Sequence, residues 1–299
     1  MAGWRTLVVR SDARLSVLHG NVHLVHTDGR VSLPIDDIDC VLIESPQGAV
    51  SIPLLKQLSS RGIALLVVDD KYKPCGIYLP YAQNKRLPAV LKAQISLSEP
   101  FKKRVWQQIV RQKILNSAAC LEILGLPGAE TLRNIARDVK SGDTTNREAY
   151  AARVYFNALS PGFQRRKGEA VSSALDYGYA IVRTAVARSL AAAGLQCALG
   201  LGHASSTNQF NLADDFVEVF RPFVDALVFS KPPGESLDVS YRQYLVGVLK
   251  LECSVNGNVH SVSTAATAVA QSYVRAVMSR SFKKLVFPEL IGLEFRTYE

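Results

Sequence analysis

Two kinds of hydrophobic pattern divide the chain. Over about the first 80 residues, apolar positions fall in short runs rich in β-branched side chains, at 6–10, 14–19, 21–26 and 31–35. The second and third runs alternate apolar with polar residues, the period of a half-buried strand. Gly20-Asn21 and Asp28-Gly29 supply turn signals between runs. The stretches 40–43 and 63–68 are continuously apolar and read as buried strands, while 51–58 reads as a short helix closed by Gly62. The pattern predicts a β-dominated module with one helix.

The pattern then changes. Residues 72–88 carry three prolines, Gly76 and polar residues, which predicts a linker. Beyond it the apolar spacing becomes helical. Helices are expected over about 99–124, 129–140, from 145 onward, 168–193, 208–221, 222–229, 240–253 and 262–284. In the long fourth helix Val171, Ala174, Leu175, Gly178, Ile181, Val182, Ala185 and Val186 form one buried face, and Gly194 is a fitting stop. The expected fold class is α+β: a small β-rich N-terminal domain (1–78), a linker (79–98) and a larger all-α C-terminal catalytic domain (99–299).

Composition narrows the function. An apolar fraction of 48% with 20% charged residues is that of a soluble globular protein. No run of about 18 apolar residues is present, so no membrane association is expected. The first residues lack a basic segment followed by a long apolar run, so no secretion signal is read. The five cysteines are scattered, with no CxxC pair, which fits a reducing cytoplasm better than a disulfide framework or structural zinc site. The net charge of +9 points to acidic partners. Basic residues cluster three times: Lys102, Lys103, Arg104, Arg111 and Lys113; Arg165, Arg166 and Lys167; and Arg275, Arg280, Lys283 and Lys284. Any one cluster could be a solvated face; three of one sign favour nucleic acid.

Three distant segments offer ligands for a hard cation. Glu148 follows Thr145 at capping-box spacing, so it either caps a helix or faces inward. Ala151, Ala152 and Tyr155 share its face and would let another helix approach, and an inward carboxylate then needs Arg153 or a metal. His203 follows Gly200-Leu201-Gly202 and is read either as a loop histidine bonded to backbone or as a ligand. The helix before it rules out a dinucleotide fingerprint, which needs a strand. Asp214, Asp215 and Glu218 crowd one side of a helix, and like charges at such spacing cost about 0.2–0.5 kcal/mol per pair. Arg221 or a helix N-terminus could offset this; a cation would relieve it outright. An oxygen-rich set with one imidazole suits Mg²⁺ or Mn²⁺ better than zinc. His19, His23 and His26 read as exposed strand residues, Tyr177-Gly178-Tyr179 as a close helix crossing, and Ser236 and Ser240 give no triad signal.

Four segments in this order carry a resemblance: Arg147-Glu148-Ala149-Tyr150-Ala151-Ala152-Arg153-Val154-Tyr155-Phe156, Leu175-Asp176-Tyr177-Gly178-Tyr179-Ala180, Leu201-Gly202-His203, and the run from Asn211 through Asp214-Asp215-Phe216-Val217-Glu218-Val219-Phe220-Arg221-Pro222. Over nearly its whole length the chain resembles the CRISPR-associated integrases of spacer acquisition (CRISPR-associated protein one). Its short length is similar to members accompanying single-protein effector (type II) systems. The resemblance implies metal ligands Glu148, His203 and an acid on the following helix. Glu218 aligns best with that acid, and Asp214 or Asp215 could contribute through water. Val219 stands where the family usually has proline, and Asp176 where it usually has asparagine.

The implied reaction is metal-dependent transesterification, in which a 3′-hydroxyl of a short DNA fragment attacks a phosphodiester at the edge of a CRISPR repeat. The implied partners are DNA, a second copy in a homodimer, and the small CRISPR-associated protein two, whose dimer two such homodimers flank. Lys102, Lys103, Arg104, Arg165, Arg166, Lys167, Lys283 and Lys284 are the candidate DNA-backbone contacts. Two other readings use the same residues: a structure-selective DNA nuclease with water as nucleophile, and a DNA-binding scaffold without catalysis.

Overall fold

The N-terminal runs become strands because alternation lets each bury one face. A computed structural model describes residues 5–10, 12–26, 29–70, 74–81, 87–160 and 170–296. The chain divides into two compact units, 1–85 and 86–297. In the first, β1 (Arg5–Val9), β2 (Arg14–Leu18), β3 (Asn21–His26), β4 (Gly29–Pro34), β5 (Ile38–Ile43), β6 (Ala49–Val50), helix α1 (Ile52–Arg61), β7 (Ala64–Val68) and β8 (Pro74–Tyr78) form two four-stranded sheets. One sheet has the order β1-β5-β7-β8, parallel except for β8; the other has the order β4-β3-β2-β6. The inner strand β5 is buried at every position, which explains its unbroken apolar run. Leu15, Val22, Ile35, Val41, Leu54 and Leu58 form the core. Helix α1 starts where the Ser51 side chain accepts from Leu54 N and ends at Gly62 in a left-handed conformation (φ 72°).

The second unit begins inside the expected linker. Residues 79–98 contain helix α2 (Leu87–Ile95), and residues 72–88 contain β8. Pro88 belongs to the stretch expected as a linker, yet it lies in the first turn of α2, where no intrahelical N–H is needed. Gln94 fastens α2 to the later loop, donating to Gln196 O (3.0 Å) and accepting from Gln196 N (2.9 Å).

The helices that follow are α3 (Glu99–Ile123), α4 (Ala129–Arg137), α5 (Arg147–Leu159), α6 (Ala170–Ala192), α7 (Asn211–Val217) and α8 (Arg221–Ser230). Next come α9 (Val239–Val246), strands β9 (Leu251–Val255) and β10 (Asn258–Ser261), α10 (Val262–Ser279) and β11 (Glu289–Phe295). Helix α3 packs against α4, α5 and α8. Its stripe of Val110, Ile114, Ala118 and Leu121 is fully buried at the 3-4 spacing of one face. Among the described residues no helix is long and apolar enough to cross a membrane.

The larger unit is helical, with one departure from the all-α expectation. The helix expected over 240–253 stops at Val246, and β10-β9-β11 form a three-stranded sheet. Leu251, Cys253 and Val255 are buried in alternation, a period of two mistaken for a helical face. Asn256-Gly257, both at positive φ (51° and 79°), turn β9 into β10 as an Asn-Gly hairpin. The α10 helix likewise ends at Ser279, with Arg280 in a left-handed conformation (φ 55°).

Gly178 is where α6 meets α8. A methyl group there would overlap Cγ1 of Val224, a β-branched side chain with little rotamer freedom. Gly178→Ala should therefore cost about 1–3 kcal/mol of stability. Urea denaturation of a double-mutant cycle checks this: Val224→Ala should cost less in the Gly178→Ala background than alone, and equal costs would show that the two helices do not touch there.

Candidate active site

Lys113 lies on α3 between the buried turns that carry Ile109 and Ile114, where an ammonium group survives only beside anions. Two arrive from other helices. Nζ donates to Glu148 Oε1 at 2.6 Å and meets Glu218 Oε2 at 2.5 Å. Burial opposes the charge on Lys113, but Glu218 and then Glu148 outweigh it and raise the lysine pKa. Burial likewise works against the Glu218 carboxylate, yet Lys113 and Arg221 hold its pKa down at about 2.

Local structure explains how Glu148 reaches this point. Helix α5 starts at Asn146 in a left-handed conformation (φ 51°), so Thr145 is not the cap. Asp143 does that work, accepting from Arg147 N (2.8 Å) and Glu148 N (3.0 Å). Glu148 is thereby released from the capping box and turns toward α3. Ala151, buried one turn on, permits the approach of α5 to α3. Arg153 is exposed, so the inward partner of Glu148 is Lys113 instead.

Glu218 sits where α7 gives way to a tighter 3₁₀ turn before α8. Asn116, one turn beyond Lys113 on α3, donates to Val219 O (2.7 Å) and Pro288 O (2.9 Å), fixing this junction. Arg221 Nε donates to Glu218 Oε1 (2.8 Å), and its guanidinium lies 4.6 Å from the Tyr179 ring centroid. Glu218 Oε2 has no aligned hydrogen bond, so its contact with Lys113 is one of charge. Beneath them Asp225 accepts from the Tyr155 hydroxyl (2.9 Å) and the Tyr179 hydroxyl. A cavity of about 150 Å³ opens beside Lys113, Glu148, Glu218 and Arg221.

His203 is held separately. The fully buried Asp215 accepts from Leu201 N (2.5 Å), Gly202 N (3.1 Å) and His203 N (2.8 Å), and pairs with His203 Nδ1 (2.8 Å). That bond raises the histidine pKa. It also commits Nδ1, leaving Nε2 to face outward. A Cβ on Gly202 would come within 2.6 Å of the Trp106 ring, which itself meets the His203 ring edge-on at 5.9 Å. Asp214 forks with Arg183 (2.6 and 2.9 Å) and takes a bond from Asn208 (2.6 Å). The crowding of Asp214, Asp215 and Glu218 is thus met by three separate sets of donors rather than by one shared cation. Glu148 and Glu218 are brought together; His203 lies close enough to feel the charge of Glu218, yet among the described residues no three His, Cys, Asp or Glu side chains gather in a metal-holding group.

In the sequence Lys113 falls within the first basic cluster, yet in the fold it lies in the site. Its helical position, three after Val110 and four before Ser117, both buried, was the sign that it belongs inside. Lys103 and Arg104 are exposed, as are Lys283 and Lys284, and Arg104 stacks over Phe282 at 5.6 Å, so the first and third clusters meet. Lys102 pairs with Glu99, and Arg280 donates to Ala93 O (3.0 Å) and Ser96 Oγ (2.6 Å). Arg165, Arg166 and Lys167 lie outside the described residues. A cleft of about 610 Å³ is lined by Arg104, Arg137, Lys140 and Arg147 against Asp138 alone, and Arg147 adjoins Glu148.

Known proteins resemble the chain over most of its length. Residues 6–231 match the family model described as CRISPR associated protein Cas1. A CRISPR-associated endonuclease Cas1 from Neisseria meningitidis serogroup C (strain 8013) is 39% identical over 302 residues, covering 99% of both chains. A second such endonuclease, from Pyrobaculum aerophilum, is 29% identical over 74% of this chain and 80% of its own. Among solved structures, a casposase bound to integration product superposes with a TM-score of 0.76 at 17% identity, covering 99% of this chain and 96% of that one. A Cas1 protein from Thermotoga maritima gives 0.73 at 14% identity, covering 99% and 100%.

Asp215 is a support for the His203 loop, and this separates two mutations. Asp215→Asn should cost about 1–3 kcal/mol, because it places an amide against backbone donors that it cannot all satisfy. His203→Ala, which removes a half-exposed ring, should cost under about 1 kcal/mol. Urea midpoints check the pair; equal stabilities would mean that Asp215 does not hold the loop.

Proposed function

The chain belongs to the Cas1 family, and from that premise we propose that it is a metal-dependent DNA endonuclease and integrase that joins short DNA fragments to a CRISPR repeat. The carrying observation is the convergence of Glu148 and Glu218 from separate helices onto one cationic point, the Lys113 ammonium. A place that suits one cation between two carboxylates suits another. The buried Glu218 Oε2 meets the Lys113 ammonium at 2.5 Å without an aligned hydrogen bond, so it is an oxygen already placed against a cation. The outward Nε2 of His203, backed by Asp215, supplies an imidazole of the kind metal sites use. Glu148, Glu218 and His203 would hold Mg²⁺ or Mn²⁺, with Asp215 orienting the histidine. When bound, the ion polarises the scissile phosphate and lowers the pKa of the attacking hydroxyl.

The remaining work falls to the protein. Arg221, pinned by Glu218 and stacked on Tyr179, fixes the Glu218 carboxylate in one orientation and keeps it ionised. Asp225 with its two tyrosine donors anchors Tyr179 in turn. The cleft of Arg104, Arg137, Lys140 and Arg147 would carry the phosphate backbone toward Glu148 without reading bases. Lys102, Lys103, Lys283 and Lys284, and the residues Arg165, Arg166 and Lys167, would extend that contact. The likeness to the Cas6-RT-Cas1--Cas2 complex (TM-score 0.70, 17% identity, 98% of this chain and 36% of that one) supports assembly with the small CRISPR-associated protein two, and the chain would do so as a homodimer.

A strand-transfer assay with Mg²⁺ or Mn²⁺, with the small partner present and absent, tests this reading. Joined strands mean integration; only shortened strands mean hydrolysis. Glu148→Ala, His203→Ala and Glu218→Ala should each lower joining by about 10²-fold or more while DNA binding persists. Joining that survives all three would show that these residues do not catalyse it and leave the chain a DNA-binding scaffold for chemistry done elsewhere. Neutralising Arg137 or Lys140 should instead weaken DNA binding for every sequence alike. Each should also reduce the slope of log affinity against log salt by about 1, whereas an unchanged slope removes the cleft from the DNA path.

A further inference from the structure

Lys113 stands where a metal ion would, and its geometry suggests what happens when one arrives. Its Nζ is 2.6 Å from Glu148 Oε1 and 2.5 Å from Glu218 Oε2, and it is the group that joins the two carboxylates. An ammonium at such distances and a divalent ion cannot share these oxygens, because the two cations would repel each other at contact range. The lysine stem is flexible, the head group is a compact point charge, and the side chain is 20% exposed. The cavity of about 150 Å³ lined by Lys113, Glu148, Ala151, Glu218 and Arg221 lies directly beside it. Arg221 cannot take over the role, since its Nε is bonded to the other oxygen of Glu218 and its guanidinium is stacked on Tyr179.

We propose that Lys113 is a resident counter-ion of the active site, one that holds Glu148 and Glu218 together when no divalent ion is bound and is displaced into the adjoining cavity when one binds. It rests on the metal reading given above. Lys113 is thus a positioning residue for the apo site and a competitor of the ion. Two carboxylates drawn from different helices would otherwise repel and splay; the lysine keeps them at the spacing an ion needs, and the ion must displace it.

The test uses the full chain stripped of metal with chelator, with Mn²⁺ as the probe. Mn²⁺ affinity is measured by electron paramagnetic resonance, and melting temperature with and without the ion, for wild type and Lys113→Met. The variant should melt lower in chelator, gain more on addition of saturating Mn²⁺ than wild type does, and bind Mn²⁺ about tenfold or more tightly, since nothing then competes for the oxygens. Equal or weaker Mn²⁺ binding by Lys113→Met overturns the proposal and leaves the metal reading standing. Absence of Mn²⁺ binding by both proteins overturns the metal reading as well. Should Lys113→Met fail to fold, wild type decides: labelling of Lys113 by an amine-reactive reagent, read by mass spectrometry, should be slow in chelator and rise several-fold with Mn²⁺. Labelling indifferent to Mn²⁺ overturns the displacement.

Discussion

The buried ammonium of Lys113 is the constraint on which the helical unit turns. An uncompensated charge at that depth in α3 is costly, and removing one partner of a buried pair typically destabilises by about 3–5 kcal/mol. The fold must therefore deliver carboxylates to it. One comes from the first turn of α5 and one from the junction of α7 and α8, elements that both pack against α3. Asn116, one turn along α3, clamps the same junction through Val219 O. A single helix thus reads both the charge and the backbone of the segment that carries Glu218.

Around that point the acids are sorted by partner. Asp215 is spent on backbone N–H groups and His203, Asp214 on Arg183 and Asn208, Glu218 on Lys113 and Arg221, and Asp225 on two tyrosines. Each assignment satisfies a buried carboxylate locally, which is why a cluster that looks repulsive along the sequence is tolerated in space. The sorting also separates roles. Asp215 and Asp225 are enclosed and have their hydrogen bonds filled, so they support; Glu148 and Glu218 share the Lys113 ammonium, so they are the pair positioned to hold a cation.

Much of this was legible in the sequence where a periodicity or a turn residue spoke directly. Alternation at 14–26, the buried face of α6 and the stop at Gly62 all correspond to elements in place. Errors arose where two signals competed. Pro88 opens a helix because the first turn tolerates proline, and Leu251, Cys253 and Val255 mimic a helical face only until Asn256-Gly257 is read as a hairpin. Glu148 and Glu218 stood out because their chemistry is unusual for their positions. Lys113 did not, because a lysine among other basic residues reads as surface until its place on the apolar stripe of α3 is counted. Asp143 as the cap of α5 was hidden by Thr145, which has the better motif but the wrong backbone: the positive φ of Asn146 puts the turn before it in control.

That substitution of cap has a consequence for chemistry. A glutamate in a capping box is committed to its own backbone and cannot serve a ligand. With Asp143 satisfying Arg147 N and Glu148 N, the Glu148 side chain is free to leave the helix terminus while the terminus stays closed. The same division appears at the other end of the site, where Arg221 takes one oxygen of Glu218 and leaves the other without an aligned hydrogen bond. In both acids the structural demand is met by one set of atoms and the exchangeable valence is left on another. A site that must keep its shape while its cation changes requires that separation, because an oxygen that both held the helix and bound the ion would surrender one task to perform the other.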